Sequence, residues 1–148
     1  DYLRLQLEQS LALARDEQQA LSLVIVDLDD FNAISRLYGH AEGDRVLQAL
    51  TQLLLLNLRR QDLLCRLAGD RFVVLLPNTG ERQARQLAEE LQAAVAHLAH
   101  KTGQHGERLQ LRATTASVMA LQDDAQSLLQ RLNLALAKAK QPPYARSA

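Results

Sequence analysis

Two short apolar runs, residues 62–67 and 71–76, are parted only by Ala68-Gly69-Asp70. Runs of that length on either side of a Gly-Asp turn close as a β-hairpin, which commits this part of the chain to antiparallel pairing. A third run, Leu21 to Val26 (LSLVIV), is apolar and β-branched and stops at Asp27, as a buried strand would. Between these runs the apolar spacing is helical. Leu3, Leu7, Leu11 and Ala14 mark a leading helix within residues 1–20, and Phe31, Ile34 and Leu37 mark a short one that Asp29 or Asp30 can cap and Gly39 ends. Val46, Leu47, Leu50, Leu53 and Leu54 line one side of a helix over 41–58. Pro77-Asn78-Thr79-Gly80 breaks the chain before a Gln- and Ala-rich helix over 81–100. A polar loop (101–106), a strand over 109–121 and a last helix over 125–140 follow. The β-α-α-β stretch can cross over in parallel while the hairpin is antiparallel. The expected fold is therefore α/β (α+β), a mixed central sheet wrapped by helices.

Composition narrows the function classes. The chain has 148 residues, enough for one domain with a core, and 47% of them are hydrophobic. Seventeen basic and seventeen acidic residues cancel, which argues against bulk electrostatic binding to nucleic acid or acidic membranes. Aromatic residues are 3% with no Trp, too few for base-stacking platforms. The single Cys65 excludes an internal disulfide and a cysteine zinc site. No apolar run approaches the ~20 residues of a membrane span, and no leader peptide is legible. The expectation is a soluble, cytoplasmic domain, cut from a longer protein that is either cytoplasmic throughout or membrane-anchored, with residues 1–141 as one domain and 142–148 as a linker or tail.

Two constellations could carry chemistry. Asp27-Leu28-Asp29-Asp30 places three carboxylates beyond a buried strand, and Asp70 lies on the hairpin turn. Carboxylates and carbonyls are the ligands hard cations such as Mg²⁺ require, so adjacent strand ends could bring Asp27 and Asp70 to one ion. Helix capping and a solvated acidic edge explain the same residues. The second is Arg59-Arg60-Gln61-Asp62. An Arg can grip the O6/N7 edge of guanine bidentately, and an Asp can accept from its N1–H and N2–H₂ side. The competing reading is a helix C-terminus neutralised by arginines. Cys65 reads as core, Ser117 lies in a strand without an elbow, His40 sits in a turn, and no P-loop or dinucleotide fingerprint is present.

Ile25-Val26-Asp27-Leu28-Asp29-Asp30-Phe31, Tyr38-Gly39-His40, Gly43-Asp44-Arg45-Val46-Leu47 and Ala68-Gly69-Asp70-Arg71-Phe72 occur in that order. Together with Thr115-Ala116-Ser117-Val118 and the segment ending at Lys140, this order resembles a GGDEF domain, the diguanylate cyclases that join two GTP into cyclic di-GMP. The resemblance runs from about residue 3 to 140. It implies a nucleotide-cyclase-like, ferredoxin-like βαββαβ core. It implies Mg²⁺ on Asp27, Asp70 and the Leu28 carbonyl, guanine read at Ser35 and Asp44, and phosphates met by Lys140. Arg59-x-x-Asp62 has the spacing of the family's product site, five residues before the signature, and implies cyclic di-GMP binding there.

The departures from the family pattern weigh against turnover. Arg71 replaces the second acid of the signature and sets a repelling charge where a metal is expected, with Asp29, Asp30 or Asp44 as candidate partners. Ser35 replaces the guanine-reading Asn and lacks an amide's paired donor and acceptor. Asn32 stands where a Lys is usual, Arg36 where an Asp is, Met119 where a Gly is, and Pro143-Tyr144-Ala145 where Gly-Arg-Asn is expected. The expected function is a degenerate, inactive GGDEF domain acting as a receptor or regulatory module. It would bind cyclic di-GMP at Arg59 and Asp62 and sit beside an EAL or sensor domain in a longer chain. The alternatives are a weakly active cyclase, a GTP-binding activator of an EAL phosphodiesterase domain, and a homodimerisation scaffold without ligand.

Overall fold

The computed structural model describes residues 1–101, 106 and 108–141. In chain order these form α1 (Tyr2–Glu17), β1 (Leu21–Leu28), α2 (Phe31–Tyr38), α3 (His40–Leu56), β2 (Leu63–Ala68), β3 (Arg71–Pro77), α4 (Glu81–His97), β4 (Ala99–Lys101), β5 (Arg108–Gln110), β6 (Ala113–Met119) and α5 (Ala125–Lys140). Four strands make one sheet in the order β2-β3-β1-β6, and β4 pairs with β5 apart from it. β1 and β2 run the same way, as the crossover predicts, but β3 is inserted between them. Every bonded pair is consequently antiparallel. This is the split β-α-β of a ferredoxin-like core.

β1 lies inside the sheet with helices on both faces, and all eight of its residues are buried. Alternation sorts its side chains. Val24, Val26 and Leu28 join Phe72, Val74 and Leu76 against α3 (Val46, Leu50, Leu54) and α4 (Ala84, Leu91, Val95). Leu21, Leu23 and Ile25 join Cys65, Val73 and Leu75 against α1 (Leu3, Leu7, Leu11) and α5 (Leu128, Leu132, Leu136). Each fully buried aliphatic side chain contributes roughly 1.5–3 kcal/mol. Two such layers fix the strand ends from both sides. Burial also pushes the Cys65 thiol pKa up, in keeping with its reading as core.

Several local expectations change. Neither Asp29 nor Asp30 caps α2 through its side chain: Asp30 occupies the cap position with φ 57° and no side-chain hydrogen bond, while Asp29 accepts from Thr114 Oγ1 at 3.0 Å. α4 ends at His97, three residues early, because the chain turns into β4. There His100, buried, meets the buried Glu42 of α3 at 2.9 Å. The strand expected over 109–121 is two, β5 and β6, parted at Leu111 and Arg112. Leu111 is buried in the core and the Arg112 carbonyl accepts from Asp29 N at 2.8 Å, so neither continues the ladder. Lys101 belongs to β4. Most of the expected loop, and the tail at 142–148, lie outside the described residues.

Candidate functional site

The site is assembled where β1, β3, β6 and α5 end together. The antiparallel register sets Asp27 directly opposite Arg71, with Thr114 on its other side. Asp27 is 2% exposed. Its Oδ2 lies 3.3 Å from Arg71 Nε and also pairs with Lys140 Nζ, presented by the last residue of α5. Leu28 N donates to the Asp70 carbonyl at 3.0 Å, which stitches the strand end to the hairpin turn. A cleft of about 590 Å³ opens over this corner, and Asp27, Leu28, Asp70, Arg36, Thr114 and Lys140 are among its walls. The partner of Arg71 is therefore Asp27, not Asp29, Asp30 or Asp44.

Ser35 and Asp44 are not in that wall. Ser35, on α2, packs against Gly43 on α3, where an added Cβ would lie 2.6 Å from Ser35 Oγ. Asp44, the next residue, is exposed and lines a separate depression of about 560 Å³ with Gln48 and Arg66. The two expected guanine readers thus sit together at the α2–α3 junction.

Arg59 and Asp62 do come together, in the turn between α3 and β2. Arg59 donates to the Asp62 carboxylate from Nη2 at 2.8 Å, from Nε at 3.2 Å and from its backbone N at 2.8 Å. Nη2 also donates to Thr79 Oγ1 at 2.6 Å and to the Pro77 carbonyl at 3.1 Å. The hydrogen bond to Asp62 raises the Arg59 pKa. The Asp62 side chain is 2% exposed and that of Arg59 44%, so the acid is the buried anchor and the guanidinium the outward face. A cleft of about 240 Å³ lies beside them, with Asn57, Gln83, Gln86 and Glu90 in its wall. Thr79 escaped the sequence reading, since Pro77-Asn78-Thr79-Gly80 signals only a chain break. Its backbone N bonds to the Ala20 carbonyl at 3.3 Å, and that contact brings it to Arg59.

The family model described as diguanylate cyclase, GGDEF domain, matches residues 1–145. The chain belongs to the GGDEF family. This GGDEF chain is 44% identical over 88 residues to the diguanylate cyclase DgcM of Escherichia coli K12, covering 60% of this chain and 20% of the relative. It is 41% identical over 90 residues to the diguanylate cyclase DgcP of Pseudomonas aeruginosa, covering 61% of this chain and 13% of that protein. The GGDEF chain thus spans a fifth or less of either relative. Among solved structures, the diguanylate cyclase SiaD of Pseudomonas aeruginosa, in complex with its activator SiaC, superposes with a TM-score of 0.87 at 28% identity, over 94% of this chain and 53% of that one.

Within the GGDEF frame the signature is Ala68-Gly69-Asp70-Arg71-Phe72, with its turn between β2 and β3 and Phe72 buried in the core. Mg²⁺ is the cation that the family implies for this corner. As folded, the donor set does not fit it: Asp27 Oδ2 already meets two cationic side chains, and Arg71 supplies a positive charge where a second acid would be needed. Among the described residues no group of three or more His, Cys, Asp or Glu side chains is placed to hold a metal. No helix among them is long and apolar enough to cross a membrane.

Proposed function

We propose that this GGDEF domain is a receptor or regulatory module of cyclic di-GMP signalling that does not turn over GTP, and that it binds cyclic di-GMP through Arg59 and Asp62. The observation that carries this reading is the contrast between the two sites. At the signature, Arg71 is paired with Asp27. At the turn before β2, Arg59 and Asp62 are joined as a preformed pair beside a cleft. A guanidinium held by a buried carboxylate loses little freedom on binding. The contacts from the Arg59 side chain run through Nε and Nη2, and the group has five N–H donors, so donors remain for the O6/N7 edge of a guanine. We further place residues 1–141 in one unit and 142–148 in a linker. In a longer cytoplasmic or membrane-anchored protein the unit would act on an adjacent EAL or sensor domain, or through a homodimer.

The test is calorimetric titration of cyclic di-GMP into the purified chain and into Arg59→Ala. Micromolar binding that the variant loses supports the reading, and silence in the native chain overturns it. A second reading, retained cyclase activity, is favoured by the 44% identical relative, itself a diguanylate cyclase. Cyclic di-GMP formed from GTP with Mg²⁺ or Mn²⁺ would establish it.

A further inference from the structure

We propose that Ser22 of β1 is a positioning residue for the Arg59 cleft: its hydroxyl holds Thr79, and Thr79 sets the Arg59 guanidinium against the wall that α4 supplies. The proposal rests on the cyclic di-GMP reading of that cleft and adds what fixes its geometry. Ser22 is the only polar residue in the run Leu21 to Val26, and it is 0% exposed. By alternation it faces the same side of the sheet as Val24 and Val26, where an aliphatic side chain would pack. A hydroxyl buried in such a place is hydrogen-bonded. Ser22 Oγ donates to the Thr79 carbonyl at 2.7 Å, across 57 positions of the chain.

The cleft has two walls, and Thr79 joins them. Asn57, Arg59 and Asp62 belong to one wall, Gln83, Gln86 and Glu90 of α4 to the other. The first is closed upon itself: Arg59 N donates to the Asp62 carboxylate at 2.8 Å, and Asp62 N to the Arg59 carbonyl at 3.1 Å. Arg59 reaches beyond its own turn through Nη2, which donates to Thr79 Oγ1 at 2.6 Å and to the Pro77 carbonyl at 3.1 Å. Asn78, Thr79 and Gly80 connect β3 to α4. Asn78 has a left-handed φ of 50°, and Gly80 caps α4 without a side-chain hydrogen bond. The anchor of this connection is Thr79, whose N donates to the Ala20 carbonyl at 3.3 Å and whose carbonyl accepts from Ser22 Oγ. Of those two bonds, only the one from Ser22 depends on a side chain. Without that hydroxyl the Thr79 carbonyl loses its partner, the connection relaxes to regain one, and the two walls lose their register. A cleft held in its bound geometry binds more tightly than one that must be ordered first.

The test is titration calorimetry with cyclic di-GMP on the whole chain, on Ser22→Ala and Ser22→Thr, and on Ile25→Val, which trims the opposite face of β1 and controls for lost packing. Circular dichroism confirms that each chain folds. Ser22→Ala should bind about tenfold more weakly. Ser22→Thr, which keeps the hydroxyl, should recover most of that affinity, and Ile25→Val should bind as the native chain does. If the added methyl of Ser22→Thr prevents folding, Ser22→Ala decides alone. Nuclear magnetic resonance of the Arg59 Nε–H, which donates to the Asp62 carboxylate at 3.2 Å, gives a readout that needs no ligand. Its exchange with solvent should quicken severalfold in Ser22→Ala and stay unchanged in Ile25→Val. Native affinity in Ser22→Ala, an equal loss in Ile25→Val, or unchanged Arg59 exchange in Ser22→Ala would each overturn the proposal and leave the cyclic di-GMP reading standing. Silence of the native chain with cyclic di-GMP would overturn that reading, and the effect of Ser22 on affinity with it.

Discussion

Asp27 and Arg71 face each other as register partners across β1 and β3, with Arg71 Nε 3.3 Å from Asp27 Oδ2. The cross-strand pair sets a half-exposed guanidinium over a buried carboxylate. The expected outcome is that the chain, incubated with GTP and Mg²⁺ at high protein concentration, forms no cyclic di-GMP by chromatography. Arg71→Glu alone should not restore turnover, because Ser35 still lacks an amide's paired donor and acceptor.

Asp123 gives a pH dependence whose sign is set by its partners. Its carboxylate is buried and accepts from Arg131 Nη2 at 2.5 Å, Leu121 N at 2.9 Å and Ser127 Oγ at 2.9 Å. The Arg131 hydrogen bond is the main cause that holds its pKa far below the ordinary 3.8, with the Leu121 and Ser127 bonds adding to it. A pKa depressed by folding contributes stability that is present above the unfolded value and is lost as pH falls below it. Denaturation midpoints should therefore be level from neutral pH down to about 5 and fall below about 4. Asp123→Asn should flatten part of that acid fall and cost about 2 kcal/mol at pH 7. An unchanged acid profile in the variant would show that other groups set it.

Gly43 is required by its neighbour rather than by its own conformation. A Cβ there would come 2.6 Å from Ser35 Oγ and 3.3 Å from the Phe31 ring. Gly43→Ala should therefore destabilise by about 1–2 kcal/mol through overpacking of α2 on α3. Adding Ser35→Gly should recover part of the loss, so the double-mutant cycle in urea should show coupling. Strictly additive losses would show that the two residues do not meet.

Arg59 is steadied by Thr79 Oγ1 at 2.6 Å, and the Thr79 hydroxyl donates onward to the Pro77 carbonyl at 2.9 Å. Thr79 is 4% exposed. Thr79→Val should cost about 1 kcal/mol of stability and weaken cyclic di-GMP binding severalfold without abolishing it. Titration calorimetry on the variant decides, and full loss of binding would move Thr79 from a supporting contact to a ligand contact.

Leu7, on α1, is fully buried against β1, β3 and α5. Leu7→Ala should cost about 2–5 kcal/mol, a core penalty. A loss below about 0.5 kcal/mol would mean that α1 is only loosely held.

Much of this was legible from residue order. Leu21 to Val26 announced β1, Ala68-Gly69-Asp70 announced the hairpin, and Leu3, Leu7 and Leu11 announced the buried stripe of α1. These signals are local: alternation and helical period follow from a residue's neighbours in the chain and from the layers it must cover. Arg59 and Asp62 were legible for the same reason, three positions apart in one turn. Ser35 and Asp44 were singled out through the family likeness alone, and that Ser35 lies against Gly43, next to Asp44, follows only from the packing of α2 on α3.

What the tertiary structure alone decided lies in contacts that join distant segments. His100 and Glu42 are 58 positions apart, and the bond from Arg15 Nη2 to the Asp123 carbonyl, 2.6 Å long, spans 108. The sequence by itself determined the five helices to within a few residues, β1, the hairpin and the family likeness, but not β4 or the break between β5 and β6. It could not determine that Arg71 answers Asp27. That contact exists because β3 inserts between β1 and β2 in one register, and because α5 ends over the same corner. Register depends on burying both faces of β1 at once, a condition on the whole sheet and not on any one segment.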